Sequence, residues 1–288
     1  MELAELEFGF KHVSSSGHTL NVQEIAGLTV GLSKLKHNEK FRKIFFWGKI
    51  FGTIKDYYVA YGLRESEFEF PVKKFFIATG PQLDLKAIGE TFEFTEMMEI
   101  PAEDAEKLTN EITTPFLGNP QQQLLPVPTD AEAEEGEPVK EEKKLFESDR
   151  LSMTVMKIDR DTAVVPRGSQ MLDERHLIVP NKSFRGLTYD EAKSLEAFQH
   201  FRAPSDLPRL RAIARDDAQF NPDCLDSIHR DAPKGCWAVR MDASASVVTM
   251  RSLLWMGYTS YHVLNTTFFG GVYIGDGQKN GELPFILP

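Results

Sequence analysis

Residues 45–62 contain two strand-length runs that are dense in aromatic side chains and glycine. In the first run the residues alternate with a period of two, which predicts a β-strand. One side of this strand carries Phe45, Trp47, Lys49 and Phe51. Residues 57–62 predict a second strand, and residues 52–56 suit the turn of an antiparallel hairpin. Because both sides of the first strand carry large side chains, one side packs on the core and the other needs a helix, a second sheet or another chain.

A helix is predicted just before this hairpin. Asn21 and Glu24 have the spacing of a capping box, with Asn in place of the usual Ser or Thr. The apolar residues that then share one face are Ile25, Leu28, Leu32 and Leu35. Gly27 and Gly31 lie four residues apart on this helix. They would permit close approach of a neighbouring backbone, but an ordinary short helix that covers a sheet is the preferred interpretation.

A second helix is predicted after residue 187. Thr188 and Glu191 form a capping box. The residues that follow along one side are Ala192, Leu195 and Phe198. Pro204 and Pro208 end this helix, which places His200 near its C-terminal end, where a cation is mildly favoured by the helix dipole.

The other periodic segments predict strands. Residues 73–79 form a third N-terminal strand, and residues 151–158 and 162–165 form two strands joined by a turn at residues 159–161. The C-terminal quarter predicts a meander with strands at 237–241, 246–255, 258–263 and 268–274. We therefore predict an α+β fold, predominantly antiparallel, with sheet from N-terminal and C-terminal strand blocks, a few covering helices and a disordered insertion.

The insertion is an acidic segment rich in Pro, Glu and Gln, at residues 118–145. Such a composition offers almost nothing to bury and does not offset the entropy of ordering, so disorder is expected. It separates an N-terminal helix and strand block, residues 1–117, from a helix and strand meander, residues 146–288. These two blocks are expected to form one composite domain.

Composition narrows the classes of function. The net charge of −10 argues against a nucleic-acid binder, which needs basic surface. No run approaches the ~20 apolar residues of a membrane span, and the acidic N-terminus resembles no targeting signal. Cys224 and Cys236 fit neither a zinc spacing nor a disulfide framework and are expected to be small buried thiols. A reducing cytoplasmic compartment is the expected location.

No local catalytic signature is found, so we predict that the chain is not an enzyme and uses no cofactor or metal. Gly275, Gly277 and Lys279 invite a phosphate-loop interpretation, but the glycine spacing and the Gly-Lys-Ser/Thr ending of a P-loop are missing. Asp159 and Asp161 lack the remaining residues of a calcium loop. The main alternative function remains a phosphate- or nucleotide-binding enzyme that uses the 275–279 loop. A third possibility is an adaptor whose acidic segment docks basic partners.

Large aromatic residues in or beside the predicted strands are candidates for contact with a partner protein. Tyr and Trp are the residues most enriched at the energetic centres of protein interfaces. The candidates are Trp47, Tyr57, Tyr58, Trp255 and Tyr273. Core packing is the competing interpretation for each ring taken singly.

Three blocks of sequence together carry a resemblance to a known family. The first holds residues 46–50, 52 and 56–58; the second holds 165–168, 184–187 and 200–202; the third holds 233–237, 251–255 and 273–280, ending at 283–285. They resemble the radial spoke head proteins of motile cilia and flagella, and they span most of the chain outside the acidic segment. The short length, and an N-terminus that reaches the Phe-Trp-Gly block through a single helix, favour the head 9 branch over the longer 4 and 6 proteins. Where family members commonly have proline after the C-terminal tryptophan, this chain has Met256.

The resemblance implies a non-catalytic structural subunit of the radial spoke head in the axoneme. In that family the head 9 protein pairs with 4/6-type head proteins among the other spoke head subunits. The assembled head faces the central pair apparatus and relays signals to the dynein arms that control motility. No cofactor, nucleic acid or membrane is implied.

Overall fold

The structure is a computed structural model that describes residues 1–64, 70–80, 92–101, 104, 105, 108, 114–124, 145–244 and 246–286, with the side chain of Asp216 excepted. The helices with defined bounds are α1 (Leu6–Val13), α2 (Val22–Asn38), α3 (Glu147–Thr162), α4 (Leu207–Ile213) and α5 (Leu283–Ile286). The first six strands are β1 (Ile44–Ile50), β2 (Tyr57–Arg64), β3 (Val72–Thr79), β4 (Thr95–Glu96), β5 (Val164–Pro166) and β6 (Gln170–Leu172). The other six are β7 (Ile178–Pro180), β8 (Phe198–His200), β9 (Trp237–Met241), β10 (Val247–Ser252), β11 (Tyr258–Val263) and β12 (Phe269–Gly275).

Eight strands form one sheet in the order β4-β3-β2-β1-β12-β11-β10-β9. Neighbouring strands run antiparallel except β1 and β12, which pair in parallel with Gly48 opposite Tyr273. The N-terminal and C-terminal strand blocks therefore meet at the centre of this sheet. The predicted α+β, predominantly antiparallel fold is confirmed.

Helices of the same chain cover both faces of the sheet. On one face Leu28 of α2 joins a buried cluster with Phe46 and Tyr58. On the other face Leu151 of α3 joins a second buried cluster with Trp47. The large side chains on both sides of the first strand are thus explained by burial under helices, and each face contributes apolar area removed from water.

A β-bulge in β1 changes the side-chain alternation that the sequence predicts. The β1–β2 register shifts between Phe46 and Gly48, so Trp47 is the extra residue of the bulge and has no partner residue on β2. Beyond the bulge Lys49 points toward α2, and Ile50 joins the cluster under α3. The prediction that Lys49 shares a side with Trp47 is wrong, because one inserted residue reverses the faces that follow it.

The helix predicted from Asn21 is confirmed as α2. The Asn21 side chain accepts the backbone N–H of Glu24 at 2.7 Å, and the Glu24 carboxylate accepts the N–H of Asn21 at 2.7 Å. At Gly31 a Cβ atom would lie 2.7 Å from the carbonyl oxygen of Phe92. Close backbone approach, the less favoured interpretation of this glycine pair, therefore holds at Gly31.

The segment predicted as strands 151–158 and 162–165 is mostly helical. It forms α3, and the predicted turn at residues 159–161 lies in the last turn of this helix. Leu151, Val155 and Ile158 are fully buried on one face, a 3.6-residue period that outweighs the strand-like composition. Only the end of the prediction holds, since β5 begins at Val164 and pairs with β8.

The prediction of a helix after Thr188 is wrong. The Glu191 carboxylate accepts the N–H and the hydroxyl of Thr188, but only short 3-10 turns follow, at Glu191–Lys193 and Leu195–Ala197. Residues Phe198–His200 are strand β8 because they pair with β5. His200 is therefore buried in a strand and does not end a helix.

The predicted C-terminal meander is confirmed, with both ends of β10 and of β12 shifted. Strand β10 stops at Ser252, whose hydroxyl accepts the N–H of Trp255 in the following turn. Strand β12 runs to Gly275. The two cysteines are free and buried, as predicted.

The predicted disordered segment does not begin at Gly118. Residues 118–124 are held by hydrogen bonds, including those from the N–H groups of Gly118 and Asn119 to Glu147. Leu124 donates its N–H to the carbonyl of Leu145 at 3.0 Å. Residues 125–144, which hold the acidic run, lie outside the described residues.

Candidate interaction site

The five aromatic residues that the sequence nominates lie inside the chain. Trp47, Tyr57, Tyr58, Trp255 and Tyr273 have 6%, 0%, 3%, 3% and 0% of their surface exposed. Tyr58 packs in the cluster under α1 and α2, and the other four pack in the cluster under α3. Their direct contact with a partner stays a prediction.

Two carboxylates in the last turn of α3 hold the two tryptophans. Asp159 accepts the indole N–H of Trp47 at 3.2 Å and pairs with the ammonium of Lys73. Asp161 accepts the indole N–H of Trp255 at 2.9 Å. The residues that the sequence suggests as a turn or metal pair are instead the hydrogen-bond partners that orient two buried rings.

Glu147, the first residue of α3, binds the loop at the end of the sheet. Its carboxylate accepts the hydroxyl of Tyr57 at 2.5 Å and the backbone N–H groups of Leu117, Gly118 and Asn119 at 2.7–3.2 Å. Burial and this carboxylate raise the pKa of Tyr57, so its hydroxyl stays protonated and donates. One buried carboxylate thus fixes both a core ring and the 117–119 loop.

Tyr58 and Tyr273 are also held through their hydroxyl groups. The Tyr58 hydroxyl donates to Glu24, which also accepts the ammonium of Lys49 at 2.7 Å. Burial opposes ionisation of Glu24, but the hydrogen bonds from Lys49 and Tyr58 outweigh it and lower the pKa of this carboxyl. The Tyr273 hydroxyl accepts the N–H of Gly277 at 2.9 Å and so anchors the C-terminal loop.

Four apolar side chains lie exposed at the end of the sheet that these bonds organise. We call them the end patch: Phe51, Ile54, Leu117 and Met256. Ile54 and Met256 leave 67% and 63% of their surface in solvent. The N–H of Ile54 donates to the carbonyl of Leu117, and the N–H of Phe51 donates to the carbonyl of Gly275. Gly275 is also close to Met256, since a Cβ atom at Gly275 would lie 2.8 Å from the carbonyl oxygen of Met256. Because exposed apolar side chains in one place mark sites of association, the end patch is the candidate interaction surface.

Sequence reasoning missed the end patch because its members come from separate connections. Ile54 lies in the predicted hairpin turn, and Met256 lies in the connection between the strands predicted at 246–255 and 258–263. Apolar residues in turns are a usable signal, since turns are normally polar. Gly118 is a second signal, because a glycine in a loop can mark a positive φ or a close approach of two backbones. It has φ +95°, and a Cβ there would lie 2.1 Å from the carbonyl oxygen of Lys55.

Beside α3, His200 and Asp231 resemble part of a hydrolytic triad. Nε2 of His200 lies 2.9 Å from Asp231 Oδ1, and Oδ2 of Asp231 accepts the indole N–H of Trp237 at 2.7 Å. Cys236 and Ser252 line the same cavity, yet Nδ1 of His200 has no hydrogen-bond partner among the described residues. Burial, with Asp231 nearby, raises the pKa of Cys236 to about 11. The arrangement therefore lacks an activated nucleophile in the described part of the chain.

The 275–279 loop follows β12 and leads into the short helix α5. Lys279 forms an ion pair with Asp161 at 3.3 Å, and Asn280 donates its N–H to the carbonyl of Leu254 at 2.8 Å. The loop is a terminal connection tied to α3, as the sequence favours. Among the described residues, no helix has the length and apolar character that crossing a bilayer requires. Within the same ranges no three His, Cys, Asp or Glu side chains group as metal ligands.

Comparison with known proteins gives a consistent result. Residues 1–148 match the family described as radial spokehead-like protein. Over the full length of both chains, this chain is 31% identical to the radial spoke head protein 9 homolog of Bos taurus. It is 31% identical to the Homo sapiens homolog and 33% identical to the Danio rerio homolog, again over the whole of both chains.

Proposed function

Since the chain belongs to the radial spokehead-like family and is a structural protein of the axonemal radial spoke, we propose that it is a non-catalytic subunit that pairs with 4/6-type head proteins. The observation that carries this proposal is similarity to radial spoke head protein 9 homologs along the entire chain. The lack of a nucleophile bound to His200 in the described residues supports a non-catalytic role. The protein belongs in the axoneme of cilia and flagella.

We further propose that residues 1–117 and 146–288 act as one composite domain. The parallel pairing of β1 with β12 and the contacts of α3 with β1 and β2 support this. A sheet fixed by helices on both faces suits a subunit that passes mechanical signals from the central pair apparatus toward the dynein arms, because packed interiors deform little.

Flagella that lack the protein test the proposed role in the radial spoke head. Cryo-electron tomography of flagella that lack it is expected to show a damaged spoke head together with altered motility. Mass spectrometry of proteins recovered with it from axonemes is expected to detect 4/6-type head proteins and other head subunits. Intact spokes in the deletion strain would contradict the proposal.

Charge placed in the end patch is expected to weaken pairing without unfolding the chain. The double variant Ile54→Asp, Met256→Asp should reduce the affinity for a 4/6-type head protein about tenfold or more, because a charge must be desolvated where an apolar anchor was buried. Co-purification and titration of the two purified proteins measure this. Both side chains are exposed, so the thermal unfolding midpoint should stay close to that of the unchanged protein.

The matched control is Leu207→Asp, Phe220→Asp, which places the same two charges on exposed residues outside the end patch. It should leave pairing unchanged. Equal loss of binding in the control and the double variant would show that the end patch has no special part in pairing.

The five buried aromatic residues enter this proposal as supports of the end patch. Tyr57 shares Glu147 with Leu117, Trp255 directly precedes Met256, and Tyr273 lies two residues before Gly275. We propose that they contribute to pairing by holding this surface in shape.

A further inference from the structure

A polar cavity of about 380 Å³ lies beside the last turns of α3. Three separate parts of the chain bring cations to its wall. Lys157 and Arg160 lie on α3, Arg202 lies two residues after β8, and Lys279 lies in the C-terminal loop. We propose that this cavity binds a phosphate-bearing small molecule. The proposal concerns a site distinct from the end patch and does not depend on the spoke head assignment.

The charge of the wall favours an anion. The four cations of the wall face two carboxylates, Asp161 and Asp231, and Arg202 also pairs with the buried Asp226, which leaves the wall a net positive charge in a chain of net charge −10. Asp161 is already bound to the indole N–H of Trp255 and to Lys279. Asp231 is bound to His200 and to the indole N–H of Trp237.

The α3 cations have no competing carboxylate. Lys157 and Arg160 are both exposed, and neither side chain forms an ion pair or a hydrogen bond within the described ranges. A phosphate monoester carries about −1.5 to −2 charges at neutral pH, which the two unpaired cations of α3 can balance. Arginine and lysine from several elements are a common way to hold such a group.

Two buried polar atoms on the wall residues also lack partners. They are Nδ1 of His200 and Nε of Arg202, for which no hydrogen bond exists among the described residues. The side chain of His200 is 3% exposed, so bulk water does not readily satisfy its Nδ1. A buried polar atom without a partner is costly, and a bound oxyanion would supply an acceptor to the guanidinium and, when the imidazole is protonated, to Nδ1.

The size of the cavity selects a small ligand. A volume near 380 Å³ lies at the lower end of the usual range for small-molecule sites. It accommodates a phosphate with an attached group of modest size. Inorganic phosphate and AMP are therefore suitable probes, one for the anion alone and one for its ester.

Isothermal titration calorimetry of the full chain tests the proposal. Inorganic phosphate and AMP are each titrated in low-salt buffer into the unchanged protein and into the double variant Lys157→Gln, Arg160→Gln. Binding is expected in the first case and about tenfold weaker in the second, since two charge-assisted contacts are lost. Both substituted residues are exposed on α3, so the variant should fold.

The matched control removes the same two charges elsewhere. Lys182→Gln, Arg211→Gln changes the net charge equally at exposed residues outside the cavity and should bind both probes like the unchanged protein. Equal weakening in the two double variants would assign the effect to net charge and overturn the proposal. So would the lack of any heat with either probe at millimolar concentration.

The imidazole of His200 gives an independent local readout. In a nitrogen-15 correlation spectrum, AMP is expected to shift the His200 ring signals, because a new charge arrives beside the unpartnered Nδ1. The ring of exposed His229 serves as internal control and should not move. Phosphate binding at surface lysines alone would leave both rings unchanged and would overturn the assignment to this cavity.

Discussion

Replacing Glu147 with alanine is expected to lower the free energy of unfolding by about 4 kcal/mol. The carboxylate is 1% exposed and accepts four donors: the Tyr57 hydroxyl and the N–H groups of Leu117, Gly118 and Asn119. Without it the buried Tyr57 hydroxyl and Gly118 N–H lose their acceptor, at a cost of roughly 1–3 kcal/mol for each unsatisfied group, and two partly buried N–H groups lose theirs as well. Urea unfolding followed by circular dichroism measures the change.

The same substitution is expected to weaken pairing with a 4/6-type head protein, because Leu117 of the end patch loses its anchor. Glu174→Ala, at an exposed position, is the control and should change stability by less than about 0.5 kcal/mol. A Glu147→Ala protein as stable as this control would show that water replaces the carboxylate without penalty.

The second large effect is expected at Asp159. Asp159→Leu should lower the free energy of unfolding by about 3–5 kcal/mol, because it leaves a buried ammonium without its partner. The Lys73 side chain is 8% exposed and lies 5.0 Å from the centre of the Phe201 ring. The indole N–H of Trp47 loses its acceptor in the same variant.

A double-mutant cycle separates the stranded charge from lost packing. Adding Lys73→Met to Asp159→Leu removes the uncompensated ammonium and should recover at least half of the lost stability. Chemical unfolding of the four proteins gives the coupling free energy. Additive effects of the two substitutions would mean that the ion pair itself contributes little and that Trp47 accounts for the loss.

Strand positions followed closely from the sequence because the aromatic and β-branched runs in β1, β2 and β11 are bounded by glycine or turn residues. Helix α3 was missed since Leu151 and Val155 are interleaved with Ser152 and Thr154 in a strand-like alternation, and its N-cap residue is Phe146, whose side chain makes no capping hydrogen bond. The opposite error followed Thr188. There the local capping pattern formed, but pairing of β8 with β5 determined the structure of residues 198–200.

The candidate site was less predictable than the fold. Trp47 and Trp255 attract attention as interface residues, yet the acceptors that hold them, Asp159 and Asp161, lie about a hundred residues away on a helix the sequence did not reveal. The position of Ile54 depends on a backbone hydrogen bond to Leu117, more than sixty residues away in the sequence. Such properties depend on which segments meet in space, and local patterns carry no information on that.

The parallel pairing of β1 with β12 joins strands from opposite ends of the sequence at the centre of the sheet. Contacts with so long an intervening chain form slowly, because loop closure has to precede them. During synthesis β1 remains an open strand edge until residues 269–275 have left the ribosome, and an open edge invites association with other chains. A stop codon late in the gene would thus remove the neighbour of an N-terminal strand, so that shortened chains are expected to aggregate rather than assemble.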